Sequence, residues 1–167
     1  FNAKKLLLDP YARAIHGLPN AEESMRTEPD PTHSPGSIDN GAKALKSVVV
    51  DESFDWSGDT PPRVPWRDMV ICEMHVKGFT QTHPDVPAEQ RGTYAGLAHP
   101  SVTTYLRQLG ITSVQLLPVH QHLDDGFLLG RGLTNYWGYN TIGFFAPHST
   151  YAAASDPQEQ VREFKSM

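Results

Sequence analysis

The chain has 167 residues, with 14 Lys and Arg against 19 Asp and Glu, a net charge of −5. No block of basic residues occurs, which excludes nucleic acid and anionic membrane surfaces as main partners, because both reward clustered positive charge. A single cysteine, Cys72, excludes an internal disulfide framework and a multi-cysteine zinc site, and the apolar runs are too short to cross a bilayer.

In chain order, Leu6-Leu7-Leu8 and Asp9-Pro10-Tyr11 give residues 1–19 a short apolar patch. Residues 20–41 are polar, with Pro29, Pro31 and Pro35, and read as a long surface loop or linker. Leu45–Val50 predicts a short strand. Phe54 and Trp56 offer aromatic anchors, and Pro61, Pro62 and Pro65 stiffen an extended connection. The pattern changes at Trp66. Met69–Val76 is a mostly apolar run, expected as a strand buried on both faces. A loop over 77–100 follows. Val102, Tyr105, Leu106 and Leu109 recur at helical spacing, and Gly110 stands where such a helix stops. Ile111–Leu117 predicts a second buried strand, ended by Pro118. Strand, helix and strand at this spacing form a βαβ unit, whose strands are expected to pair in parallel. Residues 119–155 read as a second long loop. Asp156-Pro157-Gln158-Glu159 is a helix start with a cap, a proline at the first position and a capping-box glutamate. The region from Trp66 is thus the opening of an α/β sheet or barrel.

The chain starts at Phe1, and its first methionine is Met25. The helix from 157 carries Val161 and Phe164 and stops at Met167 without a stop signal. Both ends are therefore expected to be cut. No secretory signal and no glycosylation sequon occurs, so the expected setting is reducing and cytoplasmic.

In α/β folds the sites lie on loops after the C-terminal ends of strands. The loop after the second strand holds His120, Gln121, His122, Asn135, Tyr136, Trp137, Tyr139 and Asn140. Aromatic faces beside amides and imidazoles suit a sugar, whose apolar face lies on a ring while its hydroxyls need fixed polar partners. The same composition also suits a loop pinned to the core by Tyr136, Trp137, Phe144 and Phe145, and both readings stay open here. His120-x-His122 could place two imidazoles on one face, yet no third ligand completes a metal site. Gly130-x-Gly132 lacks the third glycine of a dinucleotide loop. No metal and no cofactor is expected. Asp124-Asp125 reads as a solvated turn, and Glu73 as a buried, hydrogen-bonded group within the first strand.

Several stretches together resemble the isoamylase and glycogen-debranching branch of the α-amylase superfamily. Ile71-Cys72-Glu73-Met74-His75-Val76-Lys77-Gly78-Phe79-Thr80 is similar to that branch's first barrel strand, and Gly92-Thr93-Tyr94-Ala95-Gly96-Leu97 to its next loop. Tyr105-Leu106, Leu109-Gly110-Ile111-Thr112 and Gln115-Leu116-Leu117-Pro118-Val119 resemble its first helix and second strand. Asn135-Tyr136-Trp137-Gly138-Tyr139-Asn140, followed by Phe144-Phe145-Ala146-Pro147, is the most specific piece. Lys5–Ala12, Asp55-Trp56 and Pro61-Pro62-Arg63 resemble the connection that leads from an N-terminal β-sandwich module to the barrel.

The resemblance implies an incomplete (β/α)8 TIM barrel. Residues 66–167 would supply its first two βα units, preceded by an irregular linker over 1–65 from the sandwich module. A whole barrel takes ~250 residues. The implied parent is an enzyme, a glycoside hydrolase that cleaves α-1,6 branch linkages of glycogen and limit dextrins. It would use a retaining pair of carboxyl groups about 5–5.5 Å apart. Those groups come from strands beyond the second, so no catalytic residue is assigned within this chain, and the chain alone is expected to be inactive. Its partners would be the α-glucan and the remainder of its own polypeptide. Tyr139 matches a tyrosine that stacks on the sugar ring at the broken bond. Trp137, Asn135, Asn140 and His120 are the other candidate substrate-binding residues. Within the superfamily, a branching enzyme, an α-amylase and a trehalose-releasing hydrolase are the alternatives, and a non-catalytic α-glucan-binding domain is the alternative from outside it.

Overall fold

The computed structural model describes residues 6–17, 39, 41–42 and 44–167. The polar loop expected at 20–41 lies, apart from Asp39 and Gly41, outside them, as does Lys5. In chain order the strands are β1 (Ala14–His16), β2 (Lys46–Val48), β3 (Ile71–Met74), β4 (Ser113–Leu116), β5 (His120–His122) and β6 (Thr141–Pro147). The helices are α1 (Val76–Thr80), α2 (Tyr94–Leu97), α3 (Pro100–Gln108), α4 (Gly126–Leu129) and α5 (Pro157–Ser166). The chain divides into two units, residues 1–49 with His120–Pro147, and Val50–Val119 with His148–Met167.

The second unit contains the expected βαβ arrangement. β3 and β4 pair in parallel, with Ile71 opposite Ser113 and Met74 opposite Leu116. Between them runs α3, where His99 Nδ1 accepts the Ser101 N–H at 3.3 Å and Pro100 takes the first helical position. At its other end Gly110 N–H donates to Arg107 O and Ile111 N–H to Leu106 O, both at 3.0 Å. These two bonds form a Schellman stop, and Gly110 accommodates it at φ +78°. The helix buries Val102 and Leu106, while Tyr105 and Leu109 of the expected apolar stripe stay exposed.

The strands are shorter and less buried than their composition predicts. β3 ends at Met74 because the His75 ring caps α1, its Nδ1 accepting the Gly78 N–H at 3.1 Å. Met74 and Cys72 face the core, whereas Ile71 is 51% exposed and Val70 and Val114 are exposed as well. The apolar run predicts two covered faces, but within the described residues of this unit the pair is packed on one. Glu73 is exposed too, although it does accept a hydrogen bond, from Gln115 Nε2 at 3.0 Å. The loop expected at 77–100 is instead filled by α1, a short 3-10 turn at Ala88–Gln90 and α2.

Met74, Val76, Val86, Tyr94, Leu97, Val102, Leu106 and Tyr151 form this unit's core. α5 begins as expected, with Asp156 Oδ1 accepting from Gln158 N at 2.9 Å and Glu159 N at 3.2 Å. Glu159 directs its carboxylate to Arg162 Nη1 at 2.9 Å rather than back towards the cap. The same helix holds the segment after Val50. Gln158 exchanges two hydrogen bonds with the Asp51 backbone, and Lys165 Nζ donates to Glu52 O while lying over the Phe54 ring.

A buried polar cluster joins the core elements of this unit. Because His75 Nδ1 is an acceptor, its Nε2 carries the proton and donates to Tyr151 Oη at 3.2 Å. Tyr94 Oη donates to His148 O at 3.0 Å. Burial, reinforced by the neighbouring Tyr151, pushes the Tyr94 phenol well above its ordinary value of 10.0, while the His148 bond opposes it. A raised phenol stabilises the fold fully below the unfolded value of about 10, and that stability is lost as pH rises through the raised value. Tyr94→Phe is therefore expected to lower stability by about 1 kcal/mol at neutral pH, by removing one of the two donors to the buried His148 carbonyl, which keeps the Tyr151 N–H. The same variant should flatten the alkaline loss in urea midpoints. An alkaline slope identical to that of the parent chain would show that Tyr94 does not carry it.

The first unit has β1 and β2 antiparallel, with Ile15 opposite Ser47. Its second strand pair, β5 and β6, lies inside the stretch read as one long loop from 119 to 155. Two register shifts interrupt this ladder, placing His120 opposite Pro147, Gln121 opposite Gly143 and His122 opposite Thr141. The bulges erase the alternation by which a strand is read from sequence. Ala12, Ile15, Leu45, Leu123 and Ala146 form the core of this unit, with Leu8 and Ile142 against it.

Candidate functional site

The loop between β5 and β6 carries the candidate sugar-binding residues. It leaves β5 at His122, passes Leu123-Asp124-Asp125, makes the single helical turn α4 and returns through Asn135-Tyr136-Trp137-Gly138-Tyr139-Asn140 to β6. Side chains rather than a regular ladder hold the returning segment. Asp124 Oδ1 accepts the Asn135 N–H at 2.7 Å. Asn135 donates from Nδ2 to Leu123 O at 3.1 Å and accepts the Gly138 N–H at Oδ1 at 3.0 Å. Asn140 donates from Nδ2 to Asp125 Oδ1 at 3.1 Å, and its carbonyl accepts the Leu123 N–H at 3.0 Å. An Asn whose side chain bonds the backbone three residues ahead builds a tight turn.

That turn presents aromatic surface. Tyr139 is 72% exposed and Trp137 60%, and Tyr136 stands edge-on to Trp137 with ring centroids 5.9 Å apart. Phe144 and Phe145 on β6 are exposed as well, Phe144 tilted against His120 and Phe145 stacked on Tyr11. The reading in which Tyr136, Trp137, Phe144 and Phe145 pin the loop by burial is corrected. Hydrogen bonds at Asp124, Asn135 and Asn140 hold it, and the four rings remain 48–64% exposed.

Of the five sequence-predicted residues, Asn135, Trp137, Tyr139 and Asn140 share this turn. His120 does not join them, since it pairs with Pro147, at the far end of β6 from Thr141. The His120-x-His122 pair is not a chelate. His120 is exposed while His122 is buried, with its Nδ1 donating to His120 O at 3.1 Å. Among the described residues no three His, Cys, Asp or Glu side chains converge as a metal site would require. The Asp124-Asp125 pair is not a solvated turn either. Asp124 is only 7% exposed, and both carboxylates are engaged in holding the loop. Asp124 is thus a residue that the sequence pattern misses. Its partner is eleven positions away, and only the Asn135-x-x-Gly138 turn chemistry hints that the loop needs an internal anchor.

Exposed rings on a hydrogen-bonded frame can bind an apolar sugar face, and the loop's two carboxylates, Asp124 and Asp125, are both tied into that frame.

No family model matches the chain. It is 49% identical, over 98% of its length, to a glycogen operon protein GlgX homolog of Mycobacterium tuberculosis. It is 46% identical, over 99%, to a glycogen debranching enzyme of Yersinia enterocolitica. The chain spans about a quarter of the length of these curated relatives, 23% and 24%. Among solved structures, a pullulanase from Anoxybacillus sp. LM18-11 complexed with maltotetraose superposes with a TM-score of 0.64 at 26% identity, covering 95% of this chain and 21% of that one. A product complex of SpuA, a multi-modular glycogen-degrading pneumococcal virulence factor, superposes at 0.60 and 25% identity, covering 95% and 16%. The resemblance to glycogen-debranching enzymes read from the motifs therefore extends over nearly the whole chain.

Proposed function

We propose that this chain is the opening part of an α-1,6-glucan debranching hydrolase and supplies one wall of its substrate cleft. The observation that carries the reading is identity of 46–49% over essentially every residue to proteins named for glycogen debranching. The parallel β3–β4 pair joined through α3 is compatible with the first two units of a (β/α)8 barrel. In this reading residues 1–65 connect a β-sandwich module to the barrel, and residues 66–167 begin the barrel itself. The exposed apolar residues Val70, Ile71 and Val114 are then the surface on which the rest of the polypeptide packs.

The substrate is a branched α-glucan, glycogen or a limit dextrin, handled in the cytoplasm. Tyr139 stacks on the glucose ring at the branch bond, Trp137 extends the aromatic surface, and Asn135 and Asn140 hold the turn. His120, at the other end of the strand pair, is left to a more distant contact. The retaining carboxyl pair comes from later strands, one group attacking the anomeric carbon and the other protonating the leaving oxygen.

Reducing-end release from a branched limit dextrin and from a linear maltooligosaccharide, measured side by side, tests this. The complete enzyme should act on the branched substrate and leave the linear one intact, and the 167-residue chain should release nothing above the blank. Release from the linear substrate alone would make the parent an amylase. Binding of both glucans with no release by the complete protein would make it a non-catalytic α-glucan-binding protein. Release by the isolated chain would show that the reactive acids lie within it.

A further inference from the structure

We propose that Asp124 is a positioning residue that sets the direction of the Tyr139 ring through Asn135 and Gly138. The inference deepens the reading of Tyr139 as a sugar platform and rests on it.

Tyr139 is flanked by two tethered residues, Gly138 and Asn140, and both tethers lead back to Leu123-Asp124-Asp125. On the Gly138 side the links form a series. The buried Asp124 carboxylate takes the Asn135 N–H at 2.7 Å, which fixes that backbone. The Asn135 amide then bridges Leu123 O and the Gly138 N–H. Gly138 is buried at φ +77°, a conformation that side-chain-bearing residues rarely adopt, so its peptide planes turn sharply between Trp137 and Tyr139. A ring that is 72% exposed takes its direction from the backbone beneath it. Of the groups in the two tethers, Asp124 alone is both charged and buried, whereas Asp125 is half-buried and Asn140 exposed. A buried carboxylate accepting a backbone N–H is the strongest and least replaceable link of such a frame. The chemistry it serves is stacking, which depends on ring placement, and a displacement of about 1 Å can cost on the order of a hundredfold in rate.

The test uses the full-length protein, with two readouts. In Asp124→Leu, amide hydrogen exchange at Gly138 should accelerate by more than about tenfold, because the series of bonds loses its origin. Asp124→Asn keeps an acceptor oxygen and should retain most of the protection. On a branched limit dextrin, Asp124→Leu should lower kcat/KM by more than about tenfold in the parent but by less than about twofold in Tyr139→Ala, since both substitutions disable one platform. Unchanged exchange at Gly138 would overturn the proposal. Equal losses of kcat/KM in both backgrounds would also overturn it, by showing that Asp124 acts on something other than Tyr139. If Tyr139→Ala itself turns over like the parent, the platform reading fails, while the exchange result still decides whether Asp124 governs this turn. Should Asp124→Leu fail to fold, Asp124→Ala, which removes the acceptor of the Asn135 N–H without inserting a larger side chain, carries the same two readouts with the same outcomes.

Discussion

Tyr139→Ala in the complete enzyme is expected to lower kcat/KM on a branched limit dextrin by about 2–3 kcal/mol of transition-state binding, roughly 30- to 150-fold. The size follows from the stacking role proposed for the ring. An aromatic face under a pyranose removes apolar surface of both partners from water and holds the sugar at a fixed height and tilt. Neither effect requires the phenol oxygen, so Tyr139→Phe should stay within a few fold of the parent. Stability should hardly move in either variant, because the side chain is 72% exposed, outside the core of its unit, and surface changes of this kind cost about 0.5 kcal/mol or less. This separation makes the measurement decisive. A fall in kcat/KM with an unchanged urea midpoint assigns the ring to the substrate. An unchanged kcat/KM removes Tyr139 from the cleft, and Trp137, 60% exposed on the same turn, becomes the next ring to test.

Legibility from sequence followed the range of the interactions involved. α3 could be read because its signals are local, with apolar positions at helical spacing and Gly110 at the stop, although Pro100, assigned to the preceding loop, in fact opens the helix. The parallel pairing of β3 with β4 followed from chain connectivity. α1 could not be read, because its cap is His75, a residue that the apolar run assigns to the strand. β5 and β6 were hidden by bulges that place three residues of one strand against seven of the other. Strand burial was overstated because composition reports what a strand can bury, whereas exposure depends on the layers actually present. At the site, Tyr139 stood out by its match to the debranching-branch motif, and Asn135 as a polar residue in the same stretch, whereas the turn that Asn135 builds with Gly138 was not read. Asp124 did not stand out, since an aspartate before a loop looks the same whether it faces water or a backbone N–H eleven residues on.

Glu163→Ala is expected to be the most destabilising single substitution on α5, by about 3–5 kcal/mol. Glu163 lies beside Phe164, which packs against the core, and helical periodicity alone gives it no special task. In the structure its carboxylate is a hub. Oε1 accepts the Ala95 N–H at 3.0 Å and the Ala153 N–H at 3.0 Å, while Oε2 accepts from Ala153 N at 2.9 Å and Ala154 N at 3.1 Å. Ala95 belongs to the first turn of α2, where a helix has N–H groups without partners and where negative charge is favoured. Ala153 and Ala154 belong to the segment leading into α5. One half-buried side chain thus satisfies three backbone donors and joins α5, α2 and the chain between Tyr151 and Asp156. Bonds to a charged acceptor contribute about 1.5–3 kcal/mol each, and donors that regain water recover part of that. The Ala153 donor is exposed and recovers most, so the loss falls mainly on Ala95 and Ala154. Glu163→Gln gives the internal control. Its single amide oxygen cannot serve both sides of the hub, and its NH2 group would confront a backbone N–H, so it should fall between the parent and the alanine variant. Urea midpoints at constant m-value measure the effect. A loss below about 1 kcal/mol in Glu163→Ala would place this carboxylate among ordinary surface charges and return the joining of these elements to the Tyr94, Tyr151 and Phe164 contacts alone.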